Sequence, residues 1–498
     1  MIRSSCRWGS GGRFRAGSPG LIFVIVMFLV SQPRNAAGEP VRDVGSRLEL
    51  FLDDTLIDRL QGARLKLHSP QSKGIVLRFD QPWEGEFSGF PRIVNDGGVY
   101  RMYYRGLPPW KKGEPLVEST CVAVSRDGIH WEKPEVGRIE LLGSTRNNAI
   151  FEGSGFAPFL DTRPGVPHSE RLKALKGPPR LETGIGVRAY VSSDGIHWEV
   201  MHDAYPGERL GSVFWSPVEE RYVQYVRSDD ETSGELIRTV SRATSSDFTG
   251  WGEFSFMDFG SNPPTREEQL YTIGVRPYVR APHIYLALAA RFVPDKRSLT
   301  DEECGKLGRH PLGGGCSSIA DAVLLSVRAS EPNRIRWTFP EAFVRPGLEP
   351  SSWSARTNYP GEGFIATSND EISFYVQRDY GFKTNGLERF VVRTDGFTSV
   401  RAPYGGGEIL TRPLRFSGNE LVLNYATSAA GGIRVEVQDE KGEPIPGRSL
   451  DDCPEIIGDE IERVVRWEDG PALGRLQGTV VRLRFVMRGA DLYSIRFR

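Results

Sequence analysis

Cysteine and histidine are scarce in this chain, five and seven in 498 residues. No Cys-x-x-Cys and no His-x-x-x-His pair occurs, so the spacings that hold zinc are missing, and neither a metal nor a cofactor is expected. Long apolar runs are also missing. The longest, Leu21–Val30, falls short of the roughly 20 residues that a membrane-spanning helix needs. Charge is balanced, with 63 basic against 64 acidic residues. No basic run with interleaved aromatics stands out, which argues against a nucleic-acid partner. Helix signals are few. Short β-type runs punctuated by Gly, Pro, Asn and Asp fill the sequence, and the fold class read from them is all-β.

Residues 1–38 have the order of a secretory signal: Arg3, Arg7, Arg13 and Arg15, then the apolar run, then the small residues Ala36, Ala37 and Gly38. The expectation is a secreted or periplasmic protein with no membrane span once the signal is cleaved. Taking the five arginines of residues 1–38 from the 63 basic residues leaves 58 against 64 acids, a net charge near −6. Export permits disulfides. Cys304 and Cys316 bracket "GKLGRHPLGGG", which favours a bridge there, with two free thiols in a loop as the alternative. Cys121, in "TCVAVS", reads as a small buried apolar residue.

What the sequence does contain is a repeat. "SRDGIHW", with Asp127, returns as "SSDGIHW", with Asp194, 67 residues later. A weaker copy, "SSDFTGW", places Asp247 another 53 residues on, and degraded copies follow at Ser326–Pro340 and Val391–Phe397. Two strand-like runs precede each copy. The nearer ones include "VYRMYYRG" and "RYVQYVRS", which match at Tyr100/Tyr222, Tyr103/Tyr225 and Arg105/Arg227. Three strands recurring five times, with one closing strand per unit, give a five-bladed β-propeller over residues 39–398. From residue 399 the repeat stops, and alternating runs with Gly turns read as a C-terminal β-sandwich over 399–498. Within the repeat, Asp-Gly is a tight-turn signal. Ile129 and Trp131 then fall on one face of a strand and His130 on the other. The repeated Asp, His and Trp are therefore expected to join blades, not to catalyse. The stretch resembles the Asp-box of sialidases and related propellers, one residue shorter.

The organisation resembles the five-bladed propeller glycoside hydrolases of the arabinanase, levansucrase and invertase group. The residues that carry the likeness are "LFLDDTLI" at Leu50–Ile57, "PWEGEFSGFPRIVNDGGVYRMYYRG" at Pro82–Gly106, the Asp-Gly turns, "RAPHIYLALAARF" and the tail "GRSLDDCPEIIGDEIERVVRW". The likeness implies a central pocket with carboxylates on the innermost strands, one protonating the leaving oxygen and another activating water or attacking carbon. The slots where that group carries acids fall here at Phe90, Ala157 and near Leu210, all apolar.

Acids in the loops that feed inner strands are the alternative, and Glu84, Glu86 and Glu268 are the candidate catalytic residues. Glu208, Glu267 and Glu362 lie in comparable places. Trp83, Tyr271 and Tyr359 could stack on sugar faces, and Arg92, Arg276 and Asn358 could bind substrate polar groups, the arginines suiting an acidic sugar or a phosphate. The expected function is a glycoside hydrolase-like protein acting on polysaccharide or oligosaccharide through an axial pocket. The alternative is a non-catalytic carbohydrate-binding or cell-surface interaction propeller.

Overall fold

The computed structural model describes residues 41–498 except 111–112, 178–179, 182–183, 207–210, 233 and 312–314. The proposed signal segment and Leu210 lie outside the described residues.

Five antiparallel sheets follow the repeat. Blade one is Gly89–Asn95, Tyr100–Gly106, Ser119–Ser125 and Ala149–Glu152. Blade two is Phe156–Leu160, Leu172–Lys176, Gly184–Ser192 and Glu199–Pro206. Blade three is Ser212–Ser216, Arg221–Asp230, Ile237–Ser245 and Ser255–Phe256. Blade four is Gln269–Tyr278, Ala281–Pro294, Ser318–Arg328 and Ile335–Arg336. Blade five has Ile365–Ala366, Glu371–Arg378 and Gly386–Arg393, and its fourth strand, Gln71–Arg78, comes from the other end of the chain. That strand closes the ring: Gly386 faces Arg78 and Val391 faces Gln71.

The Ser-x-Asp turns fasten neighbouring blades. Asp127 Oδ1 accepts from the amides of Ile129 and His130 at 2.7 and 2.8 Å, and its other oxygen meets His130 Nδ1 at 2.6 Å. Asp194 repeats the pattern with Ile196 and His197, and Asp247 with the amides of Thr249 and Gly250. Gly128 has φ 72° and its carbonyl accepts from Tyr375 of blade five. Gly195 has φ 78° and its carbonyl accepts from Tyr103 of blade one at 2.9 Å. Trp198 packs edge-on to Tyr103 and Phe156, and Trp131 to Tyr375. The two histidine rings face solvent. The repeated stretch joins blades, as its sequence implied.

The C-terminal module departs from the boundaries read in the sequence. Its ten-stranded sheet takes four strands from the N-terminus. Arg42–Gly45 runs parallel to Leu414–Phe416, and Leu48–Leu50 pairs with Val480–Phe497. Ile57–Gln61 pairs with Gly407–Thr411, and Arg64–Leu67 with Thr398–Ala402. The strands of residues 42–67 therefore pair with those of 398–498, while Leu48, Leu50 and Leu52 also pack into the core of blades four and five. The physical reason is the open backbone of the sheet's edges, which the N-terminal strands satisfy. Val480–Phe497 and Leu421–Gln438 form the spine over a core that includes Tyr425, Trp467 and Phe485. A buried ion network ties this part to blade four. Arg328 meets Glu49 at 2.9 Å and Asp53 at 3.1 Å, Arg336 meets Asp53 at 3.3 Å, and His283 meets Glu49 at 3.0 Å.

The excursion between the second and third strands of blade four begins with a helix, Asp301–Lys306, under a Thr300/Glu303 capping box. The Cys304–Cys316 disulfide is formed, and Cys121 and Cys453 are buried free thiols.

Candidate functional site

The innermost strands of blades one to four begin around one cavity of about 500 Å³. Its wall includes Phe90 and Arg92 from blade one, Phe156 from blade two and Tyr271 from blade four, with Arg105 and Arg227 reaching in from second strands. Backbone strain gathers here. Phe90 has φ 58°, Arg356 φ 63° and Asn358 φ 70°, a region that non-glycine residues seldom adopt and that clusters at functional sites. Tyr271 packs on Tyr359 at 5.4 Å, and Phe90 lies edge-on to Tyr359 and Tyr380. Guanidinium groups cover these rings: Arg227 is 4.7 Å from the centre of Tyr271, and Arg105 is 4.8 Å from that of Phe90. Arg238 and Arg356 also lie against Tyr271.

Below the cavity an ion triad crosses the ring. Glu362 meets Arg92 at 3.1 Å and Arg276 at 2.7 Å. Arg92 also donates to the Gly211 carbonyl at 2.6 Å. Arg276 donates to the carbonyls of Val213 at 2.6 Å and Pro158 at 2.8 Å. Blades one to four are thus joined by two side chains. Gly274 makes room at this level, since a Cβ there would stand 3.0 Å from Glu362 Cα. Burial holds the Arg276 guanidinium below its usual range, against the pull of Glu362.

The residues picked from sequence divide sharply. Arg92 and Tyr271 line the cavity, and Tyr359 backs it. Arg276 belongs to the triad. Asn358 is fully buried, donating to the carbonyls of Ala320 at 2.9 Å and Ser352 at 2.8 Å, so its amide serves the fold. Trp83 donates to Asn148 at 2.7 Å inside blade one, away from the cavity. Glu84, expected at the pocket mouth, has a side chain 0% exposed and bonded to Tyr104 at 2.5 Å and Lys133 at 2.6 Å. Burial and that carboxylate push the Tyr104 phenol well up. Glu268 is exposed and pairs with Arg291 at 3.1 Å, clear of the cavity lining. Glu86 is part-buried in the loop before blade one, with Oε2 buried and unpartnered, and it does not line the cavity. These three carboxylates are not brought together at the cavity. The turn of residues 81–88 explains Glu84, which folds back to accept from the Gln81 amide. Glu208 lies outside the described residues.

Sequence reasoning missed Arg105 and Arg227 as site residues, although the repeat match between second strands had already aligned them. Each blade carries a cation in the last few residues of its second strand: Arg105, Lys176, Arg227, Arg291 and Arg378. Arg291 pairs with Asp321 at 2.6 Å and Arg378 with Glu388 at 2.5 Å. Arg105 meets Glu118 at 3.4 Å, and burial pushes Lys176 down to about 8.

No family model matches this chain. Two curated proteins of Mycobacterium tuberculosis, both described only as uncharacterized, are 38% identical over 61 residues, which is 12% of this chain. The matched stretch spans 20% of their length. Among solved structures, a glycosyl hydrolase from Bacteroides ovatus aligns at 12% identity and TM-score 0.39, over 70% of this chain and 93% of its own. A structure from the GH130 family of mannoside phosphorylases, which contains glycoside hydrolases that target β-1,2 mannosidic linkages in Candida mannan, aligns at 15% and 0.38, over 69% and 96%. An N-acetylgalactosamine deacetylase from F. plautii, in complex with blood group B trisaccharide, aligns at 10% and 0.43, over 68% and 97%. At such identities chemistry has to be read from this chain's own residues.

Proposed function

We propose that this chain is a carbohydrate-binding propeller whose ligand occupies the axial cavity, beside Tyr271 and Phe90. The lining carries the reading: aromatic faces and arginines, with no carboxylate among the described lining residues. Aromatic rings present the apolar faces that sugar CH groups need, and arginines supply donors to their oxygens. Cleavage by two carboxylates needs them about 5–10 Å apart across the scissile bond. Phe90 and Ala157 stand where two of the acids were expected. Export through residues 1–38 belongs to the same reading and would place the cavity where extracellular glycans are met.

A second reading, glycoside hydrolysis, is favoured by one observation. Glu86 keeps a buried carboxylate oxygen with no hydrogen-bond partner among the described residues, which leaves it uncommitted to the fold. Calorimetric binding and reducing-sugar release, measured on one panel of polysaccharides, separate the two. The expected result is millimolar-or-better binding of at least one glycan with no release. Release by the wild type that E86Q abolishes would establish hydrolysis instead, and a panel with no binding at all would sink both.

A further inference from the structure

Arg227 differs from the other cations around the ring. Its guanidinium carbon stands 4.7 Å from the centre of the Tyr271 ring, its Nε is buried with no hydrogen-bond partner, and no acid among the described residues pairs with it. A half-buried guanidinium with no paired acid is costly, and proteins otherwise neutralise one with a carboxylate, as happens at Arg291 and Arg378. A ring contact leaves the edge of the group, with the donors, free. Two further polar atoms nearby lack partners: Thr272 Oγ1, on a lining residue, and the Tyr359 hydroxyl, on the ring behind Tyr271. The surrounding charge is in positive excess. The floor triad sets two arginines against one Glu362, Arg105 is offset by Glu118, and Arg238 and Arg356 stand over the same tyrosine as Arg227. A neutral sugar would leave that excess unanswered.

We propose that the cavity takes the anionic substituent of a carbohydrate, a carboxylate or a sulfate ester, on the edge of Arg227, with Arg92 and Arg105 as flanking cations. This rests on the reading of the cavity as a carbohydrate site and adds the class of sugar. Either anion presents paired oxygens to a guanidinium fork. A charge-assisted contact of this kind in a partly desolvated cavity corresponds to roughly a tenfold to hundredfold gain in affinity.

Matched pairs of probes test it on the full chain by titration calorimetry. Galacturonan oligosaccharides are compared with their methyl esters, and sulfated galactan oligosaccharides with their desulfated forms. At least one charged member should bind ten times or more as tightly as its neutral twin, and the better pair names the anion. R227Q should reduce that ratio to near one. R227K, which keeps the charge but loses the fork, should fall between. Should R227Q not fold, the wild-type ratio and its decline with added salt still decide. Equal binding of charged and neutral twins overturns the anionic assignment while leaving the carbohydrate reading intact, and so does R227Q with its preference undiminished. Binding of inorganic phosphate alone, with neither pair discriminated, also overturns it. Failure of every glycan, charged or neutral, removes the carbohydrate reading beneath it.

Discussion

At the scale of single residues, Glu362 has the largest predicted effect. It balances Arg92 and Arg276, which between them hold backbone carbonyls of blades two and three. Breaking a buried ion network by removing one partner typically costs 3–5 kcal/mol. E362Q should therefore lose about that much stability in urea unfolding, and an unchanged midpoint would show that the triad is not needed. His68 makes a pH prediction. Burial holds it down to about 4, assisted by Lys66, Arg401 and Arg393 and opposed by Asp491. Its neutral ring meets Ser399 Oγ at 2.8 Å, and that hydroxyl donates to Asp491 at 2.7 Å. Unfolded, it takes a proton near pH 6.5, so the unfolded chain binds more protons between about pH 6.5 and 4. Stability contributed by His68 is complete above that window and falls as pH drops through it. The Tm of the wild type should decline there more steeply than that of H68Q, and parallel curves would refute the assignment. The Asp-box-like residues were legible one by one, because an Asp–amide turn is local chemistry. The partners of Arg92 were not, since they lie in other blades.

Among the elements, the excursion of blade four shows what a short covalent tie can do. Arg309, just past its helix, is buried and donates to Ser354 Oγ at 3.0 Å and to the Ala355 carbonyl at 2.9 Å. His310 Nε2 lies 3.0 Å from the Trp110 carbonyl, so the excursion reaches both blade five and blade one. Cys304 and Cys316 close a loop with a sequence separation of 12, for which chain entropy alone gives roughly 3 kcal/mol. The C304S/C316S double variant should unfold at lower denaturant and be cut sooner by protease within residues 295–317. Equal proteolysis of the two would show that Arg309 is sufficient. The inner strands could be located from sequence because the turns measure out the blades. Their facing side chains could not, because the register at the ring's centre is set by neighbouring blades.

For the molecule as a whole, the N-terminal segment is decisive. Residues 42–67 complete the C-terminal sheet, and Gln71–Arg78 completes blade five. One continuous stretch therefore closes both modules, and the Arg328 network adds a buried link between them. Scanning calorimetry should show one cooperative transition for the full chain. Two resolved transitions would mean that the modules are energetically separate. Deleting residues 41–78 should leave no cooperatively folded protein, since it exposes the edge of blade five and several edges of the C-terminal sheet together.

The sequence alone determined the all-β class, the five-fold repeat, the position of the blade turns and the change of pattern near residue 399. Each of these is written in local periodicity and turn chemistry, which act over a few residues. Tertiary structure decided what lies hundreds of residues apart: which strand closes the ring, where residues 42–67 pair, and which charges survive unpaired at the axis. Ring closure selects those contacts from many equally alternating strands, and it leaves the Arg227 guanidinium over Tyr271 with no paired acid among the described residues.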